Sequence, residues 1–358
     1  MEKHTFVHPQ AFALECGESL PELRLAYTTL GQLQRDPQGR CLNVVWICHA
    51  LTANAEAADW WAGMIGPGKC FDPQHHFIIC ANMLGSCYGS TYALSPHPHT
   101  GKPYFHTFPL ITVRDIARSL NLLRVHLGID QIQLCIGGSM GGQQALEWAI
   151  LEPTRLAHLV VLATNARHSA WGIAFNEAQR MAIAADATWT QHHPEAGLNG
   201  MRAARAMALL SYRNYQAFAH TQTDPQEEKL SQFQAASYQQ YQGDKLMRRF
   251  DAFAYWSLSQ AMDSHHLGRY RGGLEAALRH IEAQTLVIGI ASDILFPIAE
   301  QQYLAAHIPR ATYLEIDSPY GHDGFLIEFE KITQGIRSWK ASLLKEENTP
   351  KTKRELPK

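Results

Sequence analysis

The sequence predicts an α/β fold in which a mostly parallel sheet is covered by helices on both faces and interrupted by one helical insertion. Three observations point there. Short β-branched runs alternate with amphipathic helical stretches through the first part of the chain. The alternation stops after Thr164 and resumes at Thr285. Between them, from about Asn165 to Arg279, the chain is rich in Ala, Gln, Met, Tyr and Trp, with helical spacing and almost no strand signal.

The strands are expected at NVVWICH (43–49), HFIICAN (76–82), IQLCIG (132–137), HLVVLAT (158–164), TLVIGI (285–290) and TYLEID (312–317). Apolar strands of this kind, separated by amphipathic helices, belong to a parallel sheet buried on both faces. Helices are expected from Val113 to Leu127, Gly142 to Leu151, Ile298 to His307 and Gly324 to Leu344. The chain therefore divides into an α/β core of residues 1–164 and 280–344 and a helical insertion of residues 165–279. A charged tail without aromatic residues, 345–358, is expected to be flexible. No internal repeat is visible.

Composition narrows the function classes. With 358 residues, 46% hydrophobic and 18% charged, the chain can bury a large core and fold. A formal net charge of -2 makes no electrostatic case for nucleic acid or an anionic membrane as partner. No apolar run approaches the roughly 20 residues of a membrane helix. The N-terminus, MEKHTFVHPQAFALECGESL, has no basic region followed by an apolar one, so no signal peptide is expected. The seven cysteines include no CxxC pair, and reduced core thiols in a cytoplasmic protein are the natural expectation.

One short stretch carries chemistry. In CIGGSMGG (135–142), Gly137-Gly138-Ser139-Met140-Gly141 fits G-x-S-x-G between an expected strand and an expected helix, which is the setting of a nucleophile elbow. A sharp turn lifts the serine Oγ clear of the sheet, and side chains at the flanking glycines would collide with neighbouring elements. The Met140 N–H then lies at a helix N-terminus, ready to donate to an oxyanion.

A serine hydroxyl needs a base, and the base needs an orienting carboxylate. Elbow proteins place them in the order Ser, acid, His. Asp293 in GIASDILFP and His322 in SPYGHDGFL each follow an expected strand, which puts both at the carboxyl edge of the sheet with Ser139. Asp317 and Asp323 are rival acids. Asp317 is close along the chain to His322 and Asp323 is adjacent to it, so Asp293 leads. A second oxyanion donor is expected from the loop after strand 43–49, in HALTANAE, with the Leu51 N–H as candidate.

Other signals lead elsewhere. Gly63 to Cys70 approaches the phosphate loop G-x4-G-K-[ST], but it ends in Cys, contains Pro and follows no strand, so a surface turn is expected. The pairs His75-His76, His192-His193 and His265-His266 lack i, i+4 spacing; solvated loops and no metal are expected. Arg202 and Arg205 share a face of one helix in GMRAARAMALLSYR, and an exposed basic face is the default.

With these residues placed, the chain resembles the homoserine O-acetyltransferase family of α/β-hydrolase-fold proteins. The resemblance runs from LRLAYTTLGQL to GHDGFL and includes HALTA, ANMLGSCYGST, TGKPY, FPLITVRD, GGSMGGQQALEW and FNEAQRMAI. It implies an α/β-hydrolase fold, a helical lid over the site and a homodimer formed through the lid helices. It also implies acetyl-CoA as co-substrate, succinyl-CoA in some members, and a hydroxyl amino acid as acceptor, with no metal or other cofactor. Ser139, Asp293 and His322 match the family triad, and Leu51 and Met140 its oxyanion donors. Arg205 and Tyr212 match the positions that hold the acceptor carboxylate, and Asp323 the group facing its ammonium. The implied activity is acetylation of L-homoserine by way of an acyl-serine, with O-acetyl-L-homoserine feeding methionine synthesis. A serine acceptor, an esterase of the same fold, or a ligand-binding protein on a decayed fold are the alternatives; the complete triad argues against the last. The sequence departs from the usual pattern at Ala53, in STYALSPHP and at His266.

Overall fold

The computed structural model describes residues 1–348. Its ten strands are β1 (Glu2–His8), β2 (Phe12–Ala13), β3 (Ser19–Leu20), β4 (Leu23–Leu30), β5 (Val44–Cys48), β6 (Phe77–Ala81), β7 (Leu134–Gly138), β8 (His158–Leu162), β9 (Gln284–Ile290) and β10 (Ala311–Ile316). Eight of them form one sheet in the order β1-β4-β6-β5-β7-β8-β9-β10, and β2 and β3 form a separate small hairpin. From β6 to β10 every neighbouring pair is parallel; β1 and β4 extend the sheet antiparallel. All six strands expected from apolar runs are present, with ends shifted by one or two residues. The missed strands β1 and β4 interleave polar and buried residues, as in Leu23-Arg24-Leu25, so they carry no continuous apolar run.

The described residues form twelve α-helices: α1 (Ala57–Trp60), α2 (Val113–His126), α3 (Met140–Leu151), α4 (Ala170–Ala184), α5 (Leu198–Tyr212), α6 (Tyr215–Gln222), α7 (Gln234–Met247), α8 (Ala252–Asp263), α9 (Leu274–Leu278), α10 (Ile298–His307), α11 (Gly324–Ile327) and α12 (Phe329–Asn348). Helix α2 begins with a capping box: the Thr112 hydroxyl accepts from the Asp115 N–H, and the Asp115 carboxylate accepts from the Thr112 N–H. The single helix expected over 324–344 is broken, because Glu328 leaves helical angles between α11 and α12. Helix α12 then continues through Asn348, into the stretch expected as tail; the remaining tail residues, 349–358, lie outside the described residues.

Successive residues of β5 enter opposite faces of the sheet. Trp46 meets Trp148 of α3 edge-on, with ring centroids 4.9 Å apart, while Val45 and Ile47 belong to the core that includes Ile332, Ile336 and Trp339 of α12. Burial on both faces explains the unbroken apolar runs. Parallel strands all end on one edge, and the loops after β5, β7, β9 and β10 therefore gather there. Between β8 and β9 the chain forms helices α4 to α9 and no strand.

Candidate active site

Strand β7 ends at Gly138 and α3 begins at Met140, so Ser139 alone makes the turn. Its φ of 55° and ψ of -129° are a strained combination for a residue with a side chain. The neighbours hold it there. The Ser139 N–H donates to Leu162 O at 2.9 Å, and Thr164 Oγ1 donates to Ser139 O at 2.8 Å. A Cβ on Gly137 would lie 2.3 Å from Gly141 O, and one on Gly141 would lie 2.1 Å from Cys48 O. Backbone approaches this close admit only glycine.

The turn presents the serine Oγ to His322, whose Nε2 lies 2.9 Å away. The other ring nitrogen, Nδ1, lies 2.6 Å from Asp293 Oδ2. An ionised carboxylate only accepts, so Nδ1 carries the proton and Nε2 is left to accept from the serine. Asp293 Oδ1 accepts from the N–H groups of Leu295 at 2.8 Å and Phe296 at 2.9 Å, which fixes the carboxylate plane. The imidazole stacks on Phe296, centroids 5.1 Å apart. Ser139, Asp293 and His322 are all buried. Of the rival acids, Asp317 is exposed, and Asp323 is paired with Arg213 instead.

Met140 and Leu51 carry the two N–H groups expected as oxyanion donors. Met140 is the first residue of α3, so its N–H has no intrahelical acceptor and sits at the positive end of the helix dipole. Leu51 lies in the loop after β5, and its N–H has no protein acceptor among the described residues. That loop is held by residues with no obvious signal in the sequence. Burial holds the His49 imidazole down at about 4, so it is neutral near pH 7. Its Nδ1–H donates to Ala50 O at 2.9 Å, while Nε2 accepts from the Met83 N–H at 3.1 Å. Gln144 of α3 donates to His49 O at 3.0 Å and ties the loop to the nucleophile's own helix. Arg249, after α7, donates to Thr52 O and Tyr88 Oη across the other side of the loop.

A cavity of about 320 Å³ opens over the serine, lined among others by Leu51, Ser139, Arg205, Tyr212, His322 and Asp323. The two arginines of α5 part ways. Arg202 pairs with Asp244 of α7, whereas Arg205 reaches the cavity, its guanidinium 5.4 Å from the Tyr212 ring centroid. The expectation of an exposed basic face therefore fails for Arg205.

Comparison with known proteins identifies the fold and the family. The alpha/beta hydrolase fold model matches residues 43–329. A homoserine O-acetyltransferase of Cyclobacterium marinum is 50% identical over 95% of each chain. The structure of homoserine O-acetyltransferase from Bacillus anthracis superposes with a TM-score of 0.86 at 24% identity, covering 94% of this chain and 97% of that one. Esterase E22, 23% identical with a TM-score of 0.84, covers 94% of this chain and 99% of its own and shares the fold. The chain belongs to the homoserine O-acetyltransferase family.

Of the three stretches that the sequence singles out as departures, only Ala53 lines the cavity. Ala53 closes the loop that carries Leu51, its N–H donating to Ala50 O at 3.0 Å. The stretch STYALSPHP docks on β4, where Thr91 Oγ1 accepts from the Arg24 N–H at 2.8 Å. His266 pairs with Arg167 in an isolated bridge. One expectation here is corrected: His265 is buried rather than solvated. Its Nε2 lies 3.0 Å from Asn165 O, and burial lowers its pKa to about 3. Among the described residues no cluster of three or more His, Cys, Asp or Glu side chains is placed to hold a metal, and no helix is long and apolar enough to cross a membrane.

Proposed function

We propose that the protein transfers an acetyl group from acetyl-CoA to the hydroxyl of L-homoserine by a two-step, acyl-serine mechanism. One observation carries this reading. The Ser139–His322–Asp293 relay opens into a cavity whose wall carries Arg205 and Asp323 together with Asp59 and Arg249, the last of which is tied to Thr52 O and Tyr88 Oη. A zwitterionic amino acid with a hydroxyl fits that wall.

In the first step Ser139 attacks the thioester carbonyl while His322 Nε2 takes its proton and Asp293 stabilises the imidazolium. The Leu51 and Met140 N–H groups receive the oxyanion. Collapse breaks the C–S bond, the thiolate takes the proton from His322, and CoA leaves. In the second step Arg205, with Tyr212 beside it, holds the acceptor carboxylate and Asp323 its ammonium. His322 removes the hydroxyl proton and the alkoxide attacks the acyl-serine; collapse breaks the bond to Ser139 Oγ, which takes the proton back from His322, and O-acetyl-L-homoserine is released for methionine biosynthesis. Acetyl-CoA serves as co-substrate, and the reading assigns no metal or other cofactor.

The insertion of residues 165–279 acts as a lid that limits water at the acyl-serine, and it supplies Arg205 and Tyr212. Its exposed apolar side chains Leu210, Tyr215, Phe233 and Tyr241 support a homodimer joined through the lid helices. Unpaired cysteines, four of them buried, support a cytoplasmic location. Purified protein should be tested with acetyl-CoA and succinyl-CoA as donors against homoserine, serine and water as acceptors. The reading expects the pair acetyl-CoA and homoserine to dominate. Donor turnover that ignores every amino acid would make the protein a hydrolase.

A further inference from the structure

The Asp323 carboxylate is not free. Arg213 Nε donates to its Oδ2 at 2.9 Å, and both side chains are largely buried. Asp323 lines the cavity over Ser139, whereas Arg213 does not. The sequence explains why. Tyr212 ends α5 and faces the cavity, and Arg213, the next residue, turns to extended angles (φ -114°, ψ 157°) and leaves on another side. Its guanidinium then lies over the Tyr238 ring of α7, 5.9 Å from the centroid. The contact is reinforced by backbone. Gly321 has φ 62°, and a Cβ there would come within 3.0 Å of Tyr212 O and 3.1 Å of Arg213 C and Asn214 N. The turn Gly321–Asp323, with His322 at its centre, thus rests directly on the end of α5.

We propose that Arg213 is a positioning residue for acceptor recognition: from outside the cavity it holds one oxygen of Asp323, so that the other faces the ammonium of an amino-acid acceptor. The proposal rests on the acyl-transfer reading above. It makes the acceptor step sensitive to Arg213 and leaves the donor step indifferent to it, because a thioester brings no ammonium to Asp323. It also assigns the pair a specificity role, favouring acceptors with an ammonium over otherwise similar alcohols.

The test uses the full chain, three single variants, Arg213→Gln, Arg213→Lys and Asp323→Asn, and the double variant that combines Arg213→Gln with Asp323→Asn. The rate of acetyl-Ser139 formation from acetyl-CoA is measured by rapid quench. KM and kcat are measured for homoserine and for 4-hydroxybutanoate, which lacks the ammonium. Arg213→Gln is expected to raise the homoserine KM by roughly 5- to 30-fold, between the effects of exposed and buried ion pairs. Acylation and the 4-hydroxybutanoate parameters should stay within about twofold, so the preference for homoserine falls by the same factor. Arg213→Lys should recover part of the loss. In the double variant, Arg213→Gln should add little to Asp323→Asn, because both remove one interaction. An equal loss in acylation would make Arg213 a structural residue. An unchanged or lowered homoserine KM would show it to be no aid, or a competitor, to the ammonium. Either result overturns the proposal while wild type still transfers to homoserine. Wild type that transfers to no amino acid would overturn the acyl-transfer reading and this inference together.

Discussion

Replacing Asp293 by Asn changes one atom and tests the relay at its most constrained point. The Leu295 and Phe296 N–H groups converge on Asp293 Oδ1 at 2.8 and 2.9 Å. An asparagine satisfies them only if its oxygen takes that place, which turns its NH2 toward His322 Nδ1, where 2.6 Å now separates the partners. The NH2 donates, so Nδ1 must accept and the ring proton moves to Nε2. Nε2 then faces the Ser139 hydroxyl at 2.9 Å with no free lone pair. The base is lost without any loss of packing. Flipping the amide would restore the tautomer but leave two buried N–H groups facing an NH2, at about 1–3 kcal/mol each. A total of roughly 2–6 kcal/mol agrees with the ~10⁴-fold fall in kcat that removal of a triad carboxylate's charge produces, about 5.4 kcal/mol at 1.36 kcal/mol per decade. Stopped-flow detection of the CoA thiol reads the acylation rate, and circular dichroism checks the fold. An intact variant that loses less than tenfold would refute the role given to the Asp293–His322 bond.

Three further predictions follow from neighbouring geometry. Arg205→Ala should slow deacylation by homoserine by about 2–5 kcal/mol while leaving acylation nearly unchanged, since it removes the charge facing the acceptor carboxylate; single-turnover kinetics of the two half-reactions separates them. Burial pushes the Glu300 carboxyl up to about 7 from 4.5, and it accepts from Asn165 Nδ2 at 3.0 Å. The folded state therefore keeps a proton that the unfolded chain releases, so this group's contribution to stability falls as pH rises from about 4.5 through about 7. Glu300→Gln should melt above wild type at pH 8, with the gap closing at pH 5, as followed by calorimetry. Glu147, buried in α3, accepts from Arg114 Nε at 2.6 Å and from both terminal nitrogens of Arg271 at 2.9 and 2.6 Å. Glu147→Ala should destabilise by about 3–5 kcal/mol in denaturant unfolding, because Arg271 loses its carboxylate and Arg114 keeps only Glu15.

What was legible in the sequence follows the range of the forces involved. Ser139 could be found from eight residues, because the glycines that the turn needs are its immediate neighbours. The strand ends placed Asp293 and His322 on one edge, since parallel strands that alternate with helices all point the same way. Arg205 could not be told from Arg202 by helical spacing: what separates them is Asp244 on α7, which takes only Arg202. The Arg213–Asp323 pair joins residues 110 positions apart and leaves no local pattern. Two adjacent histidines resemble a polar loop, so the sequence predicts a solvated His265; the carbonyl of Asn165, a hundred residues away, lets it be buried. The antiparallel strands β1 and β4 escaped because their apolar residues alternate with polar ones.

The central claim is that an acyl group on Ser139 passes to an amino acid rather than to water, and the isolated acyl-enzyme tests it most directly. Protein exposed briefly to acetyl-CoA carrying a labelled acetyl group and freed of donor should show one acetyl mass, on the peptide that contains Ser139. Split into two portions, it should lose the label slowly to acetate in buffer. With homoserine it should lose it orders of magnitude faster, nearly one for one into O-acetyl-L-homoserine, as an oriented acceptor implies. Loss to acetate at the same rate in both portions, or no label on Ser139, would contradict the account.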